Sequence, residues 1–198
     1  MHEAVYREFE RICRARRAGG AVLEIGAVPS AASLLALPAL AGAREKIGLD
    51  LDGPHRFADF RIERGDANRM AFPAARFDTI LCNSVLEHDR CFWKTLAEIR
   101  RVARPGALVV LGVPAYVRTR PPFALRHLAW LPVVGGRIAA ALASTPTLHI
   151  HNHPGDYYRF SPQAMREVLL EGPVEVEVRA LLRPPRLVGA GVVPGPSG

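Results

Sequence analysis

The chain has 198 residues, of which 49% are hydrophobic and 23% are charged, and its formal net charge is +7. This composition excludes a disordered or fibrous protein, and the length suits a single domain with its own hydrophobic core. No apolar run reaches the roughly 18 residues of a membrane-spanning helix, and the charged N-terminal segment lacks an apolar signal core, so we expect no membrane insertion.

The first predicted element is an amphipathic helix over residues 5–17, which ends at a pair of glycines. The densest basic run of the chain lies on it and comprises Arg11, Arg14, Arg16 and Arg17. This run indicates either a solvated helix face or a surface for an anionic partner. Because no aromatic residues are interleaved for base stacking, the pattern argues against a nucleic-acid partner.

Apolar runs of strand type then alternate with segments of helix type. A strand is predicted over residues 21–26, and a helix, bent near Pro38, over residues 30–43. Further strands are predicted within "EKIGLDLDGP", "FRIERGDA", "RFDTILCNSV" and "ALVVLGVPAY", with a helix over residues 91–102 before the last of them. Strands that alternate with helices imply right-handed crossovers and a mainly parallel sheet.

The alternation changes after Tyr116. Residues 117–150 are rich in Pro, Arg and Ala and predict an insertion. "SPQAMREVLLEG" then predicts a helix with a serine N-cap, "VEVEVRALL" a half-exposed strand near a sheet edge, and "PRLVGAGVV" a candidate seventh strand. We expect one domain, with an N-terminal helix (1–20), a core (21–116), the insertion, and a C-terminal helix with edge strands (151–193).

The order of four motifs carries a resemblance to a known family. The motifs are "VLEIG", "IGLDLDG", "GDANRMAFPAARFDTILCNSVLEH" and "LAEIRRVARPGALVVLGVP". In this order they resemble the class I S-adenosylmethionine-dependent methyltransferases, specifically the type 11 methyltransferase domain. The resemblance implies an α/β, Rossmann-like fold: a mostly parallel seven-stranded sheet with one antiparallel edge strand and helices on both faces. It also implies S-adenosylmethionine as the cofactor.

The predicted cofactor site lies where the strands end, because open parallel sheets bind ligands at the carboxyl ends of their strands. Gly26 permits close approach of the ligand to the backbone, and Asp50 is placed to accept both ribose hydroxyls. Asp52 points the same way by strand alternation, and the resemblance favours Asp50. The predicted cofactor-binding residues are Glu24, Gly26, Ala27, Asp50, Leu51, Asp66, Ala67, Asn83 and Ser84.

The resemblance gives some of these residues particular roles. It places Asp66 and Ala67 at the adenine, and Asn83 and Ser84 beside the methionine part. Structural interpretations stay open, since the aspartates at positions 50, 52 and 66 are also typical turn residues. His88 either caps a loop or borders the cofactor.

The loop "GAVPS" is poor in glycine for a nucleotide-binding turn. S-adenosylmethionine carries no phosphate, so its loop needs close backbone approach but no nest of N–H groups. Val28 would be costly only at a positive φ, Pro29 stiffens the loop, and Ser30 is placed to cap the following helix. We therefore expect cofactor binding, with a non-catalytic binding or partner protein of the same fold as the alternative.

Candidate groups for catalysis lie in "LHIHNHPGDYYRF", in which three histidines alternate: His149, His151 and His153. On a strand they would share one face. A three-histidine metal site with Asp156, a single general base, and ordinary turn or packing roles all fit this pattern. Our prediction is no metal, with His153 as the base and Asp156 as its orienting partner or the alternative base. Tyr157 or Tyr158 would line the pocket.

These features predict a methyltransferase that acts on a small-molecule or glycan acceptor. The insertion would form a substrate lid, and its Arg118, Arg120 and Arg126 suit an anionic or sugar-containing acceptor. An NAD-dependent oxidoreductase is disfavoured by the single glycine of the loop, and methylation of nucleic-acid bases by the absence of a Pro-Pro-aromatic motif at "CNSV". Three cysteines without metal-ligand spacing predict reduced thiols in a cytoplasmic protein; the sequence does not predict an oligomeric state.

Overall fold

The computed structural model describes residues 2–118, 144–146, 155–182 and 185–195. An eight-stranded sheet in the order β3-β4-β2-β1-β5-β6-β10-β9 forms the centre of the fold. Its strands are β1 (Ala21–Ile25), β2 (Glu45–Asp50), β3 (His55–Phe57), β4 (Phe60–Arg64), β5 (Phe77–Asn83), β6 (Ala103–Pro114), β9 (Val174–Leu182) and β10 (Pro185–Val192). A separate two-stranded ladder pairs β7 (Tyr116–Arg118) with β8 (Ser144–Pro146).

In the described part of the chain, three α-helical elements accompany the sheet. They are α1 (Glu3–Ala15), α2 (Phe92–Val102) and α3 (Pro162–Ala164), the last of which continues into a π-helical turn, Met165–Leu169. Ser161 caps α3, as predicted, by accepting the Ala164 N–H at 3.0 Å. None of the helices in the described part of the chain is both long and apolar enough to cross a membrane.

Five adjacent strands, β4, β2, β1, β5 and β6, run parallel, which confirms the predicted α/β class. The sheet has eight strands, one more than the seven predicted. The reversed strand β10 lies one position inside the edge, between β6 and β9, and the short β3 adds a second reversed strand at the opposite edge. Both additions come from hairpins, because antiparallel neighbours need only a tight turn between them.

The side chains of β1 alternate between two buried layers. Leu23 and Ile25 pack with α2 and the π-helical turn on one face, whereas Val22 packs with α1 on the other. The sheet is therefore covered on both sides, as parallel sheets require.

The predicted helix over residues 30–43 is wrong. Two short 3₁₀ turns stand in its place, Leu34–Ala36 and Pro38–Leu40. Pro38 has no N–H to continue a helix. The N–H groups of Leu34 and Leu35, at the start of the first turn, donate to the buried carboxylate of Glu24. The leucines that suggested an amphipathic helix are nevertheless buried against α1 and the sheet: Leu34, Leu35, Leu37 and Leu40.

Three arginines of the N-terminal basic run, Arg11, Arg14 and Arg16, pair with carboxylates. Arg11 bonds Glu8 at 2.8 Å and Glu177 of β9 at 3.0 Å, and Arg14 and Arg16 likewise pair with glutamates. Each exposed pair contributes little stability by itself. The pairing favours the interpretation of this run as a solvated, charge-balanced face over that of an anion-binding surface.

Candidate cofactor site

A cavity of about 770 Å³ opens at the carboxyl ends of four neighbouring strands, β4, β2, β1 and β5. Six of the nine predicted cofactor residues line it: Gly26, Asp50, Leu51, Asp66, Ala67 and Ser84. Val28, Asn68, His88, Asp89, Arg90 and Tyr157 are among its other lining residues. The strand order therefore brings together residues as distant in the chain as Gly26 and Tyr157.

Gly26 turns the chain at the end of β1 with a φ of +76°. Its N–H donates to the Leu49 carbonyl oxygen at 2.8 Å, which ties the turn to β2. A Cβ at this position would collide with the Cγ2 atom of Val85 on the opposite cavity wall. Both the backbone conformation and the lack of space therefore require glycine here.

The unusual part of the loop, Val28 and Pro29, is accommodated without strain. Val28 is not among the described residues with a positive φ, so the backbone conformation that would make valine costly does not occur. Its side chain lies on the cavity wall, and its carbonyl oxygen accepts the Ser30 N–H at 2.8 Å. The loop departs from the glycine-rich pattern without blocking the cavity.

Glu24 does not line the cavity, because its side chain points from β1 into the layer below the loop. The buried carboxylate accepts the Ser33 hydroxyl and the N–H groups of Leu34 (3.0 Å) and Leu35 (3.2 Å). Burial raises the pKa of Glu24 to about 7, and these hydrogen bonds partly oppose the rise. Glu24 thus fixes the segment that follows the cofactor loop.

Ala27 and Asn83 also lie outside the cavity lining. Ala27 is buried, and its Cβ fills the space above Gly48 on the neighbouring strand. The Oδ1 atom of Asn83 points at Gly112 on β6 and has no hydrogen-bond partner in the described part of the chain. The three predicted residues outside the cavity thus face a packed layer rather than the strand ends.

Asp50 lies at the end of β2, where it takes part in a turn and also borders the cavity. Its Oδ1 atom accepts the Asp52 N–H at 2.9 Å, which is a turn, and the carboxylate lines the cavity. Asp52 is far more exposed, at 91% of its side-chain surface, and its carboxylate lies 3.4 Å from the His55 imidazole. The side chain of Asp50 is therefore held in one position by the turn, whereas that of Asp52 is largely exposed to solvent.

The end of β4 is arranged in a similar way. The Oδ1 atom of Asp66 accepts the Asn68 N–H at 2.8 Å. The side chain of Asn68 then donates to Asp89 (2.8 Å) and Thr95 (3.2 Å), and Thr95 also donates to Asp89 at 2.7 Å. This network, which we did not predict, links the end of β4 to the start of α2 across the cavity wall.

The segment after β5 places a serine and a histidine on the wall. Ser84 has a φ of +57°, and its Oγ atom accepts a hydrogen bond of 2.6 Å from Nη1 of Arg186, which sequence reasoning missed. The Nδ1 atom of His88 bonds the Gly155 carbonyl oxygen. Because a carbonyl only accepts, Nδ1 carries the proton, and in the neutral ring Nε2 is the acceptor nitrogen.

The predicted catalytic residues lie apart from this wall or outside the described residues. His149, His151 and His153 all fall outside the described residues. Asp156 is buried in a two-point ion pair with Arg159 and does not line the cavity.

The two candidate tyrosines separate. Tyr157 lines the cavity, whereas Tyr158 packs edge-on against Phe92 at 5.0 Å and donates to the Arg90 carbonyl oxygen. Within the described ranges no cluster of three His, Cys, Asp or Glu side chains is arranged to hold a metal ion.

The sequence of the part that contains these strands matches a known protein family. Residues 25–111 match the family described as a methyltransferase domain. Over these residues the chain is similar to a methyltransferase domain. The match runs from the last residue of β1 into β6, so it includes β2, β4 and β5, whose carboxyl ends border the cavity. S-adenosylmethionine is the methyl donor of methyltransferases with this fold. No curated protein matches the chain significantly.

Solved structures share the fold of the methyltransferase domain at low sequence identity. A 1,6-didemethyltoxoflavin-N1-methyltransferase from Burkholderia thailandensis, with bound 1,6-didemethyltoxoflavin and S-adenosylhomocysteine, is 19% identical with a TM-score of 0.62, over 97% of this chain and 79% of that one. A SAM-dependent methyltransferase from Archaeoglobus fulgidus is 14% identical with a TM-score of 0.62, over 96% and 93% of the two chains. An S-adenosylmethionine-dependent methyltransferase from Mesorhizobium loti is 16% identical with a TM-score of 0.60, over 92% and 96%.

Proposed function

We propose that the chain binds S-adenosylmethionine in the cavity and transfers its methyl group to a small-molecule or glycan acceptor. The observation that supports this proposal most strongly is the order of residues along one wall of the cavity. Asp66 follows β4, Asp50 is the last residue of β2, Gly26 follows β1 and Ser84 follows β5, and these strands are neighbours in that order. The order matches an extended ligand with adenine at the first position, ribose at the second and the amino acid at the last.

The charge of the wall supports a cationic ligand. Among the described residues, four carboxylates line the cavity: Asp50, Asp52, Asp66 and Asp89. Arg90 contributes the guanidinium of this lining. A wall of negative potential stabilises the positive sulfonium of the donor. The sulfonium becomes a neutral thioether once the methyl group has left, so this attraction also weakens on product formation.

Methyl transfer needs little chemistry from the protein, because the donor carbon is already activated. The protein must hold a nucleophile about 3 Å from that carbon, in line with the breaking bond, and exclude water. A hydroxyl acceptor also needs a base, whereas an amine needs only to arrive neutral. His153, which lies outside the described residues, stays our prediction for the base, and its predicted partner Asp156 pairs with Arg159. The imidazole of His88 on the cavity wall is a second candidate.

The acceptor class is supported by the rim of the cavity. Tyr157, with 53% of its surface exposed, lines the cavity and offers a flat face to a sugar or heteroaromatic ring. One similar structure, from Burkholderia thailandensis, holds a small heteroaromatic acceptor. The predicted lid, residues 117–150, lies almost entirely outside the described residues, as do Arg120 and Arg126, and it stays our prediction for an anionic or sugar-containing acceptor. The three unpaired thiols support our expectation of a cytoplasmic enzyme.

The two aspartates of the β2 turn provide the test. We expect Asp50→Asn to weaken binding of S-adenosylhomocysteine by about tenfold or more, since a charged acceptor of two ribose hydroxyls is removed. Asp52→Asn, two residues away and largely exposed, is the matched control, and we expect a change of less than about twofold. Calorimetric titration measures both variants. Equal affinities for Asp50→Asn and the wild type would remove Asp50 from the site.

The second candidate function is a binding or partner protein that keeps the fold without catalysis. The replacement of the first helix after β1 by 3₁₀ turns favours it. A screen of acceptors that detects released S-adenosylhomocysteine separates the two functions. Binding of the cofactor without turnover on any sugar, amine or heteroaromatic acceptor would favour the second.

A further inference from the structure

The strand β9 forms one edge of the sheet, and β6 and β10 separate it from the strands that border the cavity. It pairs with β10 on one side, and no strand in the described part of the chain pairs with its other side. β9 has nine residues, whereas β3 at the opposite edge has three. A long edge strand presents a row of backbone N–H and C=O groups to which a further strand can pair.

The pairing with β10 determines which residues of β9 point toward this open edge. The Pro185 carbonyl oxygen accepts the Ala115 N–H at 3.2 Å, so it points toward β6. Because successive residues of a strand direct their backbone groups to opposite sides, the next residue, Arg186, points toward its partner Leu181 on β9. The same alternation along β9 turns the backbone groups of its even-numbered residues outward: Val176, Val178 and Ala180.

The charged side chains of β9 lie on the face that packs against α1. Glu177 bonds Arg11 at 3.0 Å, and Arg179 bonds Glu8 at 2.9 Å. Both remain accessible, since 35% of the Glu177 side chain and 58% of the Arg179 side chain are exposed. A carboxylate accepts, and a guanidinium donates, more than one hydrogen bond, so each group can take a second partner. These two opposite charges lie symmetrically about Val178.

We propose that β9 pairs in antiparallel fashion with β9 of a second copy of this chain, about a two-fold axis at Val178. Glu177 of each copy then lies opposite Arg179 of the other, and the two cross-strand ion pairs stabilise the dimer. Val178 faces its own counterpart and Val176 faces Ala180, so the outward backbone groups of the two strands bond each other. The sheets of the two copies join into one continuous sheet.

The charge pattern selects this register over its neighbours. An axis at Glu177 would place that carboxylate opposite its own counterpart, and an axis at Arg179 would do the same with the guanidinium. Like charges directly opposite each other destabilise a strand pair. An axis between two residues would set outward backbone groups of one strand against inward groups of the other, so no ladder could form.

Apolar side chains at the ends of β9 support the same axis. Val174 and Leu182 have 49% and 52% of their surfaces exposed. Both are equally far from Val178, so the start of one strand meets the end of the other in the proposed dimer. The exposed valine of each copy is thereby brought beside the exposed leucine of the other, and both are removed from water.

Sedimentation velocity at several protein concentrations tests the pairing. We expect a species of twice the monomer mass to dominate above about 100 μM, since a short strand interface gives micromolar affinity. Glu177→Arg and Arg179→Glu each place like charges opposite each other twice, and each should weaken the dimer by about tenfold or more. Arg44→Glu, which breaks a similarly exposed ion pair with Asp78 beside β2, is the matched control and should dimerise as the wild type does.

Mixing the two β9 variants separates a lost contact from a damaged fold. Equimolar Glu177→Arg and Arg179→Glu should form a mixed dimer at concentrations where neither variant dimerises alone. One strand then carries only positive charge and the other only negative, so both cross-strand pairs are restored. A misfolded variant would gain nothing from mixing.

Leu182→Lys tests the interface without altering the ion pairs. Leu182 is exposed in the single copy, so the variant keeps the fold, and a lysine in the apolar contact should weaken the dimer by about tenfold. Val168→Lys, at a similarly exposed residue of the π-helical turn, is the control and should leave the dimer unchanged.

A wild-type chain that stays monomeric up to about 200 μM would overturn the inference and leave the edge to a strand of another protein. A dimer that withstands the charge reversals and Leu182→Lys, or two folded charge variants that do not associate on mixing, would also overturn it. The cavity lies on other strands, so Arg179→Glu should bind S-adenosylhomocysteine as the wild type does. The inference therefore stands or falls independently of the proposed function.

Discussion

The loop after β1 and the segment after β5 face each other across one cavity and are built in opposite ways. The loop after β1 places few polar side chains in the cavity and is fixed from below by Glu24, a carboxylate that never reaches the cavity. The segment after β5 instead carries Ser84, His88 and Asp89 on the cavity wall, each with a hydrogen-bond partner.

This difference explains how the cavity tolerates a glycine-poor loop. In the binding mode that we propose, the loop after β1 has only to leave the cavity open, and a Cβ at Gly26 would meet the Cγ2 atom of Val85 on the cavity wall. The proposed polar contacts to the ligand come from the ends of the other strands. A larger side chain in the loop after β1 should therefore block the cavity. Substitutions in the segment after β5 should each lower the affinity for the ligand by a limited factor.

The largest effect is expected for Gly26→Val. A β-branched residue at a φ of +76° is strained by about 1–2 kcal/mol, and displacing Val85 adds a similar cost. We expect binding of S-adenosylhomocysteine to be abolished and the free energy of unfolding to fall. Chemical denaturation and calorimetry measure the two effects.

Gly42→Ala is the control for that substitution. Its backbone has no positive φ, and a Cβ there meets no atom within 4 Å. We expect wild-type affinity and stability. Retained binding in Gly26→Val would show that the strand-end turn does not border the ligand.

Glu24 gives a smaller, pH-dependent effect. Its folded pKa of about 7 lies above the ordinary value of 4.5, so between these pH values the folded state binds more protons than the unfolded one. Stability should therefore fall as the pH rises from 5 to 8, by an amount on the order of 2–3 kcal/mol. Glu24→Gln should remove this slope. Denaturation curves at four or five pH values measure it.

Glu98→Gln controls for the pH dependence. Hydrogen bonding to Arg101 lowers the pKa of Glu98, so its contribution disappears only as the pH falls below the ordinary range. The slope between pH 5 and 8 should survive in this variant. An identical slope in the wild type and in Glu24→Gln would contradict the assignment.

The smallest effect is expected in the network after β5. Thr95→Val removes the hydroxyl that donates to Asp89 while preserving shape, and should cost about 1 kcal/mol of stability. Affinity for S-adenosylhomocysteine should fall by about two- to threefold, because Asn68 loses one of two anchors. Thr95→Ser, which keeps the hydroxyl, should behave as the wild type. A larger loss of affinity than that of Asp50→Asn would mean that this network, rather than the Asp50 carboxylate proposed to bind the ribose, dominates binding.

Much of the fold is visible in the sequence because it follows from local patterns. Apolar runs bounded by Gly and Pro predict the strands, and the alternation with helices predicts the parallel order. The segment 30–43 could not be predicted in this way. Its leucine spacing suits an α-helix, and the 3₁₀ geometry depends on a carboxylate ten positions earlier that accepts the Leu34 N–H.

The residues of the candidate site can likewise be divided into those that the sequence predicts and those that it does not. Gly26, Asp50 and Asp66 follow strands directly, so strand prediction places them at the cavity. The Arg186–Ser84 bond joins residues 102 positions apart, and no spacing rule links a late antiparallel strand to the end of β5. Asn68 and Asp89 are a similar case, since they lie 21 positions apart in two different loops and meet only in the folded chain.

The central claim is that the glycine-poor loop still serves a working cofactor site. Calorimetric titration of the wild-type chain with S-adenosylhomocysteine, with NAD as the control ligand, tests it most directly. We predict micromolar binding of S-adenosylhomocysteine and no binding of NAD, since a turn without a phosphate nest offers a dinucleotide no anion site. A folded protein that binds neither ligand would contradict the claim.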